Sequence, residues 1–522
     1  LGLLALAATV PPSPSAADAT NGGAATPAGG AAAGAAPSWS GRTGRGAPSG
    51  VPRRSRRTPS WPLRAQDAFF LHVQSPTVAQ QIGAVLELGP LPDGRSIGRR
   101  DIVELLARRL PAITTLRRRL ADRGRLRRPG WVIEPHVDPE DHVAEYRLAP
   151  GDDESAAVAI DRFWSQPLAM HRPLWRMLLI TGLPGGRTRL AVKLHHSLGD
   201  GLSVIGTLQR LLDPAPHRAP VGDPSTTQRP PAARRSRGRA LVAAPAPGRL
   251  PRRPWALVAA ARTGAGRALI TVRGLARLAA AGRAPAAPVN RPLRTPGRAL
   301  VTVALPTDEL RRAARTCKVH VSELMCALVA DALRRTYRDL PMPPRLRAMF
   351  AVSLDPRNRA RTHGNWTGAI ALDLPLDPLD PRHRLTLVRD RLRRNVASGQ
   401  PVAAALVMRT MGLLPAPAHA ALARLVYSSR FVNVIVSYMS GGSPRPQTLA
   451  GVEVRTVTPV VALADGVPIG VGVLRWGDTT NVGVLLDESL AHTKAEFVAA
   501  LRAAFAELPR DEGDAGRHPV AG

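Results

Sequence analysis

Two apolar, strand-like runs stand close together in the first half of the chain, in the stretch LWRMLLITGLPGGRTRLAVKLHH, residues 174–196. Pro184, Gly185 and Gly186 separate the two runs, and these residue types are typical of turns. The pattern predicts a β-hairpin whose second strand ends at two adjacent histidines.

The apolar period changes directly after this hairpin. Apolar residues then recur at a spacing typical of one helical face: Leu202, Ile205, Leu208, Leu211 and Leu212. Asp200 stands where an N-cap residue accepts a hydrogen bond from the first turn. The pattern therefore predicts a strand, a short junction and a helix that begins near Gly201.

Residues 298–508 also mix strand and helix patterns. RALVTVAL is strand-like, VSELMCALVADALRRTY is helical, and VPIGVGVLRWGDTTNVGVLLD predicts a hairpin that turns at Gly477 and Asp478. Thr493 and Glu496 have the spacing of a capping box ahead of a last helix. An earlier stretch, DIVELLARRLPAITTLRRRL at residues 101–120, has an amphipathic helical pattern.

These elements predict an α/β (α+β) protein with two domains, at residues 64–212 and 298–509. Residues 213–297 are rich in Pro, Ala and Arg and predict a crossover linker with partial helix. Residues 1–63 are rich in Ala, Gly and Pro and lack the apolar pattern of a core, so we expect a disordered tail there and at residues 510–522.

The formal net charge is +33, and a large share of it lies in the linker, where residues 213–298 hold 17 arginines and two aspartates. Few aromatic residues accompany these arginines, so the segment suits an anionic membrane surface at least as well as a nucleic acid. We expect no nucleic-acid partner. No apolar run is long enough to predict a transmembrane helix. Cys317 and Cys326 have neither disulfide nor zinc-site spacing.

The pair His195 and His196 has three possible interpretations: a metal site, a structural pair or a catalytic site. Neighbouring strand residues point to opposite faces, so the pair cannot easily hold one ion, and we expect no metal and no cofactor. The second interpretation is that both histidines are structural residues at the end of a strand. The third is catalytic, because a strand-to-helix junction presents a side chain to a cleft and Gly201 would permit a positive φ there.

A histidine so placed suits a general base acting on a hydroxyl group. An alcohol has a pKa near ~15.7 and imidazole one near ~6.5, so full prior deprotonation would cost about 12 kcal/mol. The proton must therefore move while the oxygen attacks, which is general-base catalysis. No G-x-S-x-G segment or reactive-cysteine setting predicts a covalent intermediate.

The stretch HHSLGDG, residues 195–201, resembles the HHxxxDG motif of the CoA-dependent acyltransferase superfamily. Other stretches are similar to the bacterial wax ester synthase/diacylglycerol acyltransferase branch: QDAFFLHVQSP, RPLWRMLLITGLPGG, FAVSLDPRNRARTHGNWTGAI, NVIVSYMSGG and VVALADGVPIGVGVL. The resemblance covers residues 64–508. It implies two chloramphenicol-acetyltransferase-like domains with the active-site channel between them.

The resemblance also implies site roles. His196 would be the general base and His195 a supporting residue. Asp200 would be structural and paired with an arginine, and Gly201 would allow the turn. Asn365, in a Gly-Asn element with Gly364, would help to orient substrate, with a turn asparagine as the other reading.

A Pro-Leu-Trp element, Pro173 to Trp175, also matches the family, and we expect it to pack in the core. The chain departs from the family at Ser322 and Glu323, where Asn-Asp is usual. Asp355 stands where an arginine is usual, with Arg357 nearby. The segment from Tyr438 to Gly442 replaces Asn-Val-Pro-Gly-Pro. We expect Ser322 to cap its helix all the same.

The resemblance implies an O-acyltransferase that uses fatty acyl-CoA as co-substrate and a diacylglycerol or fatty alcohol as acceptor. It would be cytoplasmic and held peripherally at a membrane surface or lipid droplet. Two alternatives stay open: a related transferase with another acceptor, and an inactive basic protein that binds lipid or nucleic acid.

Overall fold

The computed structural model describes residues 60–149, 153–214, 254–354, 363–439, 442–443 and 446–508. These residues all belong to one compact unit of the chain. Most of the two predicted tails, and much of the predicted crossover, lie outside the described residues.

Helices are labelled α1 to α11 and strands β1 to β16 in chain order. The helices are Ala65–His72, Arg99–Arg109, Asp153–Ser165, Gly201–Gln209, Pro254–Ala281, Thr307–Thr316, Val321–Thr336, Pro381–Ala397, Gln400–Met411, Ala416–Val426 and Lys494–Ala506. The strands are Trp61–Pro62, Gln81–Leu88, Arg118–Ala121, Gly130–Ile133, Val143–Arg147, Trp175–Thr181, Thr188–His195, Asp213–Pro214, Arg298–Pro306, Arg345–Ser353, Thr367–Pro375, Val434–Met439, Gln447–Leu449, Val452–Val460, Ile469–Trp476 and Thr479–Asp487.

A seven-stranded sheet in the order β5-β6-β7-β2-β14-β13-β8 contains the predicted hairpin as β6 and β7. Strand β7 lies inside this sheet, antiparallel to β6 and to β2. Its side chains alternate between two cores, as strand geometry requires: Leu190, Val192 and Leu194 enter one, and Ala191 enters the other. The hairpin prediction is confirmed.

The same alternation buries Lys193, one of three lysines in the chain. Its Nζ donates hydrogen bonds to the carbonyl oxygens of Phe163 and Gln166, at the C-terminal end of α3. A cation is favourable at that end of a helix. Burial nevertheless lowers the pKa of Lys193 well below its usual value. The strand leading to the histidines is thus anchored to α3.

A six-stranded sheet in the order β11-β10-β12-β15-β16-β9 forms the second half. The predicted hairpin is present as β15 and β16, and the predicted helix is α7. The apolar face of α7, including Leu324, Leu328 and Ala332, is buried against the sheet core. A separate three-stranded sheet has the order β1-β4-β3.

Strands β13 and β14 follow β12 in the chain but belong to the seven-stranded sheet. Strand β14 pairs antiparallel with β2, from Val454 opposite Leu88 to Val460 opposite Gly83. The second predicted domain therefore contributes strands to the sheet of the first, and one hydrophobic core includes residues of both sheets. The boundaries at residues 212 and 298 stay a prediction.

Two local predictions about helix starts are wrong. Helix α11 begins after a 3-10 segment, and the Thr493 hydroxyl donates to the carbonyl of Leu490 instead of capping the helix. His320, and not Ser322, stands at the N-cap of α7. Glu323 accepts a hydrogen bond from the His320 N–H and pairs with Arg393, so α7 keeps a carboxylate in its first turn.

Residues 60–63, which the sequence assigns to the tail, are ordered by pairing. Trp61 and Pro62 pair with β4, and Leu63 is buried with its N–H bonded to the Pro129 carbonyl. The local composition hides this because the partner strand lies about 70 residues away in the sequence.

The crossover carries α5, which packs on α9. Gly274 provides the contact, since a Cβ there would stand 2.5 Å from the Gly399 carbonyl oxygen. Leu269, Val272 and Arg273 of α5 are exposed. Within the described residues, no helix has the length and apolarity that a membrane span needs.

Candidate active site

The two histidines lie where β7 ends and α4 begins, as predicted. A 3-10 turn, His196–Leu198, follows the strand, and Asp200 caps α4 by accepting a hydrogen bond of 3.0 Å from the Ser203 N–H. Strand pairing fixes this junction from both sides, because the His195 N–H donates to Leu174 and the His196 N–H to Gln80. The two imidazoles are therefore held at the end of an inner strand.

His195 is buried, and both of its ring nitrogens are engaged. The Ser197 N–H donates to Nδ1 over 3.1 Å, so Nδ1 is the acceptor nitrogen and Nε2 carries the proton. Nε2 then donates to Gln74 Oε1 over 2.7 Å. Burial, and then the neighbouring His196, lowers the pKa of His195 to about 3. In the described part of the chain, no three His, Cys, Asp or Glu side chains are grouped as a metal site requires.

His196 stacks face to face on Phe70 of α1, with ring centroids 3.5 Å apart and planes 5° from parallel. Phe70 in turn contacts Tyr427 edge to face, at 6.3 Å. The imidazole is thus fixed in an apolar setting between the two halves of the fold. His196 is partly exposed to solvent, whereas His195 is buried.

Burial lowers the pKa of His196 to about 4, against the raising effects of its own carbonyl, Asp200 and Asn365. The ring is therefore neutral at pH 7, which a general base requires. Its Nδ1 and Asn365 Oδ1 are both buried and lack a hydrogen bond of normal geometry. These two atoms have complementary polarity when Nδ1 carries the proton.

Asn365 joins His196 to α1. Its Nδ2 donates to the His196 carbonyl and to Asp67 Oδ1, both over 2.9 Å, and its N–H also donates to Asp67. Asp67 is buried, and burial raises the pKa of its carboxyl while the bonds from Asn365 act in the other direction. Both Nδ2 hydrogens are thus used within the protein, which positions the backbone of His196.

Asp200 connects the loop to the second half of the chain. Its Oδ1 accepts from the Ser203 N–H and hydroxyl, and its Oδ2 accepts from the Trp366 N–H at 2.8 Å and the Thr367 hydroxyl at 2.9 Å. Among the described residues no arginine pairs with it, and the arginines at residues 355–362 lie outside the described residues, so the predicted ion pair stays a prediction. The carboxylate thus links the start of α4 to the start of β11, and we call this set of hydrogen bonds the Asp200 clamp.

The backbone reinforces this clamp. Gly199 and Gly364 form a parallel bridge, in which the Gly364 N–H donates to the Leu198 carbonyl over 2.8 Å. The Ser203 Oγ lies 2.9 Å from the Gly364 carbonyl oxygen as well as 3.0 Å from Asp200 Oδ1, so its single proton serves one or the other of these two acceptors. Gly364 has a φ of +82°, a conformation that favours glycine.

Gly201 does not have the predicted positive φ, because it is the first residue of α4. The structure gives another reason for glycine at this position. A Cβ there would stand 2.6 Å from the sulfur of Met439, at the end of β12. Gly201 therefore permits close approach of the two halves.

The Pro-Leu-Trp element packs in the core, as expected. Leu174 and Trp175 are buried, and the Trp175 Nε1 donates to the Leu116 carbonyl over 2.7 Å. Its ring stacks on His142. The unusual Asp355 and its neighbour Arg357 lie outside the described residues.

Sequence reasoning missed the two α1 residues that touch the site, Asp67 and Phe70. Both stand in the QDAFF stretch that carried part of the family resemblance. The signal that could have found them is a buried acidic residue on a mostly apolar helix, because such a charge needs a partner.

Comparisons with known proteins identify the family of the chain. The family model for the wax ester synthase/diacylglycerol acyltransferase catalytic domain matches residues 63–325, and the model for the C-terminal domain of the same family matches residues 363–509. A Mycobacterium tuberculosis H37Rv protein named as a diacylglycerol O-acyltransferase is 30% identical over 418 residues, which cover 75% of this chain and 79% of that protein. A second protein of that strain with the same activity in its name is 26% identical over 456 residues, covering 85% and 95%.

Two solved structures share the fold. The wax ester synthase/diacylglycerol acyltransferase from Marinobacter aquaeolei VT8 has a TM-score of 0.59 at 20% identity, covering 86% of this chain and 98% of that one. The first condensation domain of the calcium-dependent antibiotic synthetase has a TM-score of 0.55 at 18% identity, covering 86% and 97%. The predicted fold class, two chloramphenicol-acetyltransferase-like domains, is confirmed.

Proposed function

The chain belongs to the wax ester synthase/diacylglycerol acyltransferase family, and we propose that it transfers a fatty acyl group from acyl-CoA directly to a hydroxyl group of a lipid acceptor. The observation that carries this proposal is the placement of His196. It is neutral, stacked on Phe70 and located between the two halves of the fold.

His196 is the general base in this proposal, and it acts through Nε2. Its Nδ1 is enclosed near Asn365 and its own carbonyl, which favours the tautomer with the proton on Nδ1. Nε2 is then unprotonated and available to the acceptor hydroxyl. His195 supports the base indirectly, since its ring is bonded to Ser197 and Gln74 and holds the turn that carries His196.

The low pKa of His196 requires proton transfer to accompany attack. As the acceptor oxygen bonds to the thioester carbon, its proton moves to Nε2. The C–S bond then breaks, the ester forms, and CoA leaves as a thiol with the proton from the imidazolium. The Asp200 carboxylate favours that transient positive charge, because it raises the pKa of His196.

Direct transfer is also supported by the surroundings of the Ser197 hydroxyl, which is next to His196 in the sequence. Ser197 contacts a histidine ring, with its Oγ 2.8 Å from His195 Nδ1. Both residues are buried, and burial lowers the pKa of His195 to about 3. A thioester cannot readily reach this hydroxyl, so the pair is unsuited to forming an acyl-enzyme.

We propose a diacylglycerol as the first acceptor and a long-chain alcohol as the second. The names of the mycobacterial relatives favour the diacylglycerol, and the family description includes wax ester synthesis. Such acceptors reside in membranes or lipid droplets, so the protein would act peripherally at one of these surfaces.

The test combines product analysis with the intact mass of the protein. Labelled palmitoyl-CoA is supplied with dioleoylglycerol or with hexadecanol, and the labelled triacylglycerol or wax ester is measured. We expect label in triacylglycerol above that in wax ester, and no palmitoyl adduct on protein incubated without acceptor. An adduct that disappears when acceptor is added would overturn direct transfer, and absence of both esters would overturn the proposed acceptors.

A further inference from the structure

Three leucines form an exposed apolar surface beside the helix that supports the base. Leu126 lies between β3 and β4 and is 71% exposed, whereas Leu413 and Leu414 follow α9 and are 85% and 40% exposed. The two segments are joined, because the Ala416 N–H donates to the Leu126 carbonyl over 3.3 Å. We call these three residues the leucine patch.

Exposed arginines stand next to the leucine patch in the sequence. The loop that carries Leu126 reads DRGRLRRP at residues 122–129, with four arginines and one aspartate. Arg125 and Arg127 flank Leu126 and are exposed, and so is Arg409 in the last turn of α9. Exposed leucines accompanied by exposed arginines are typical of surfaces that bind anionic lipids.

The leucine patch is connected to the active site through α1. The turn after α9 contacts the start of α1, since a Cβ on Gly412 would stand 2.4 Å from the Ala65 Cβ. Behind that turn, Met411 belongs to an apolar cluster that includes Phe70 and Tyr427. Apolar contacts therefore continue from near the protein surface to the ring that stacks on His196.

We propose that the leucine patch is the surface by which the protein docks on an anionic phospholipid membrane, so that a lipid acceptor enters beside α1. This inference rests on the proposed function, which requires an acceptor that resides in a lipid phase. A second copy of the chain is a poor occupant, because two such faces would bring arginines against arginines.

The test measures binding of the full chain to vesicles of phosphatidylcholine with about 30% phosphatidylglycerol, and to vesicles of phosphatidylcholine alone. The patch variant is Leu126→Gln with Leu413→Gln. The matched control is Val158→Gln with Leu340→Gln, which changes two residues that are 52% and 41% exposed and lie outside the leucine patch. The four positions changed in the patch and control variants are all exposed, so thermal unfolding of both variants should match that of wild type.

We expect the patch variant to bind anionic vesicles at least about tenfold more weakly than wild type, and the control less than about twofold. Replacing Arg125 and Arg127 by glutamine should weaken binding about fivefold for each charge removed. The proposal would be overturned if the patch variant bound anionic vesicles as tightly as wild type, or if the patch and control variants lost affinity equally. It would also be overturned if the wild-type protein bound both kinds of vesicle equally well. A third variant, Leu269→Gln with Val272→Gln, changes two exposed residues of α5. If vesicle binding were lost in this variant alone, the docking surface would lie on α5, and this result would also overturn the proposal.

Turnover separates this inference from the proposed function. With a short-chain, monomeric alcohol as acceptor, the patch variant should match wild type, and with vesicle-embedded dioleoylglycerol it should lose turnover in proportion to binding. A wild type that binds vesicles through the leucine patch but esterifies no acceptor would contradict the proposed function alone. A patch variant that is monomeric when wild type is dimeric, with no change in vesicle binding, would show that a second copy occupies the surface.

Discussion

The Asp200 carboxylate accepts a hydrogen bond of 2.8 Å from the backbone N–H of Trp366, across the seam between the two halves of the chain. Its other oxygen caps α4 through Ser203. One buried side chain therefore fixes both the turn after His196 and the strand that faces it.

Replacing Asp200 by alanine should reduce the free energy of unfolding by about 2–5 kcal/mol, because the buried N–H of Ser203 and the partly buried N–H of Trp366 lose their acceptor. Asp200→Asn should cost less, since its one carbonyl oxygen still accepts. Chemical denaturation measures both. Asp138→Ala is the matched control, because Asp138 also accepts an N-terminal N–H, from Glu140, but at an exposed site. Equal effects at Asp200 and Asp138 would contradict the clamp.

The acid limb of kcat/KM should lie near pH 4. Burial lowers the pKa of His196 to about 4, so the ring is neutral above that pH and loses its function as a base only as pH falls through it. Activity should therefore be flat from about pH 6 to 8, where an unperturbed histidine with a pKa of ~6.5 would titrate. Circular dichroism at each pH distinguishes protonation from unfolding. A limb centred near 6.5 would contradict the assignment.

Asn365→Ala should lower kcat by about 10–100-fold and leave KM for acyl-CoA nearly unchanged. The variant removes the hydrogen bonds from Nδ2 to the His196 carbonyl and to Asp67, and losses of about 1–3 kcal/mol are usual for such bonds. Steady-state kinetics measure the two constants. Asn395→Ala is the control, since its Nδ2 donates to the Ala371 carbonyl, away from the histidines. A rise in KM with kcat intact would instead assign Asn365 to substrate binding.

The elements around the site followed from the sequence because they depend on local pattern. The alternating runs at residues 175–195 and the switch to helical period after Asp200 correctly predict β7, the junction and α4. The contacts that complete the site join distant segments. Phe70 stacks on a ring 126 residues later, and Asn365 bonds Asp67 from 298 residues away.

The periodicity of a short stretch of sequence carries no information on contacts between distant segments. For the same reason the sequence did not predict that β14 belongs to the first sheet. Gly201 shows the same limit. Its position was identified correctly, but the reason for glycine is the Met439 side chain of a distant strand and not its own φ.

Gly201→Ala should destabilise the protein by about 1–3 kcal/mol through overpacking against the Met439 sulfur. Met439→Ala alone should cost about 2–5 kcal/mol by leaving a cavity. The double variant should cost less than the sum, because the new methyl group enters the space that the thioether left. A thermodynamic cycle from denaturation measurements gives the coupling, and strict additivity would show that the two residues do not meet.

The central claim is that His196 is the base of an acyl transfer. The most direct measurement is release of free CoA from palmitoyl-CoA, with and without dioleoylglycerol or hexadecanol, for wild type, His196→Ala and Ser489→Ala, a surface control. We predict acceptor-dependent release by wild type and control, and its loss by at least about 10²-fold in folded His196→Ala protein. Acceptor-dependent release that persists in His196→Ala would contradict the account.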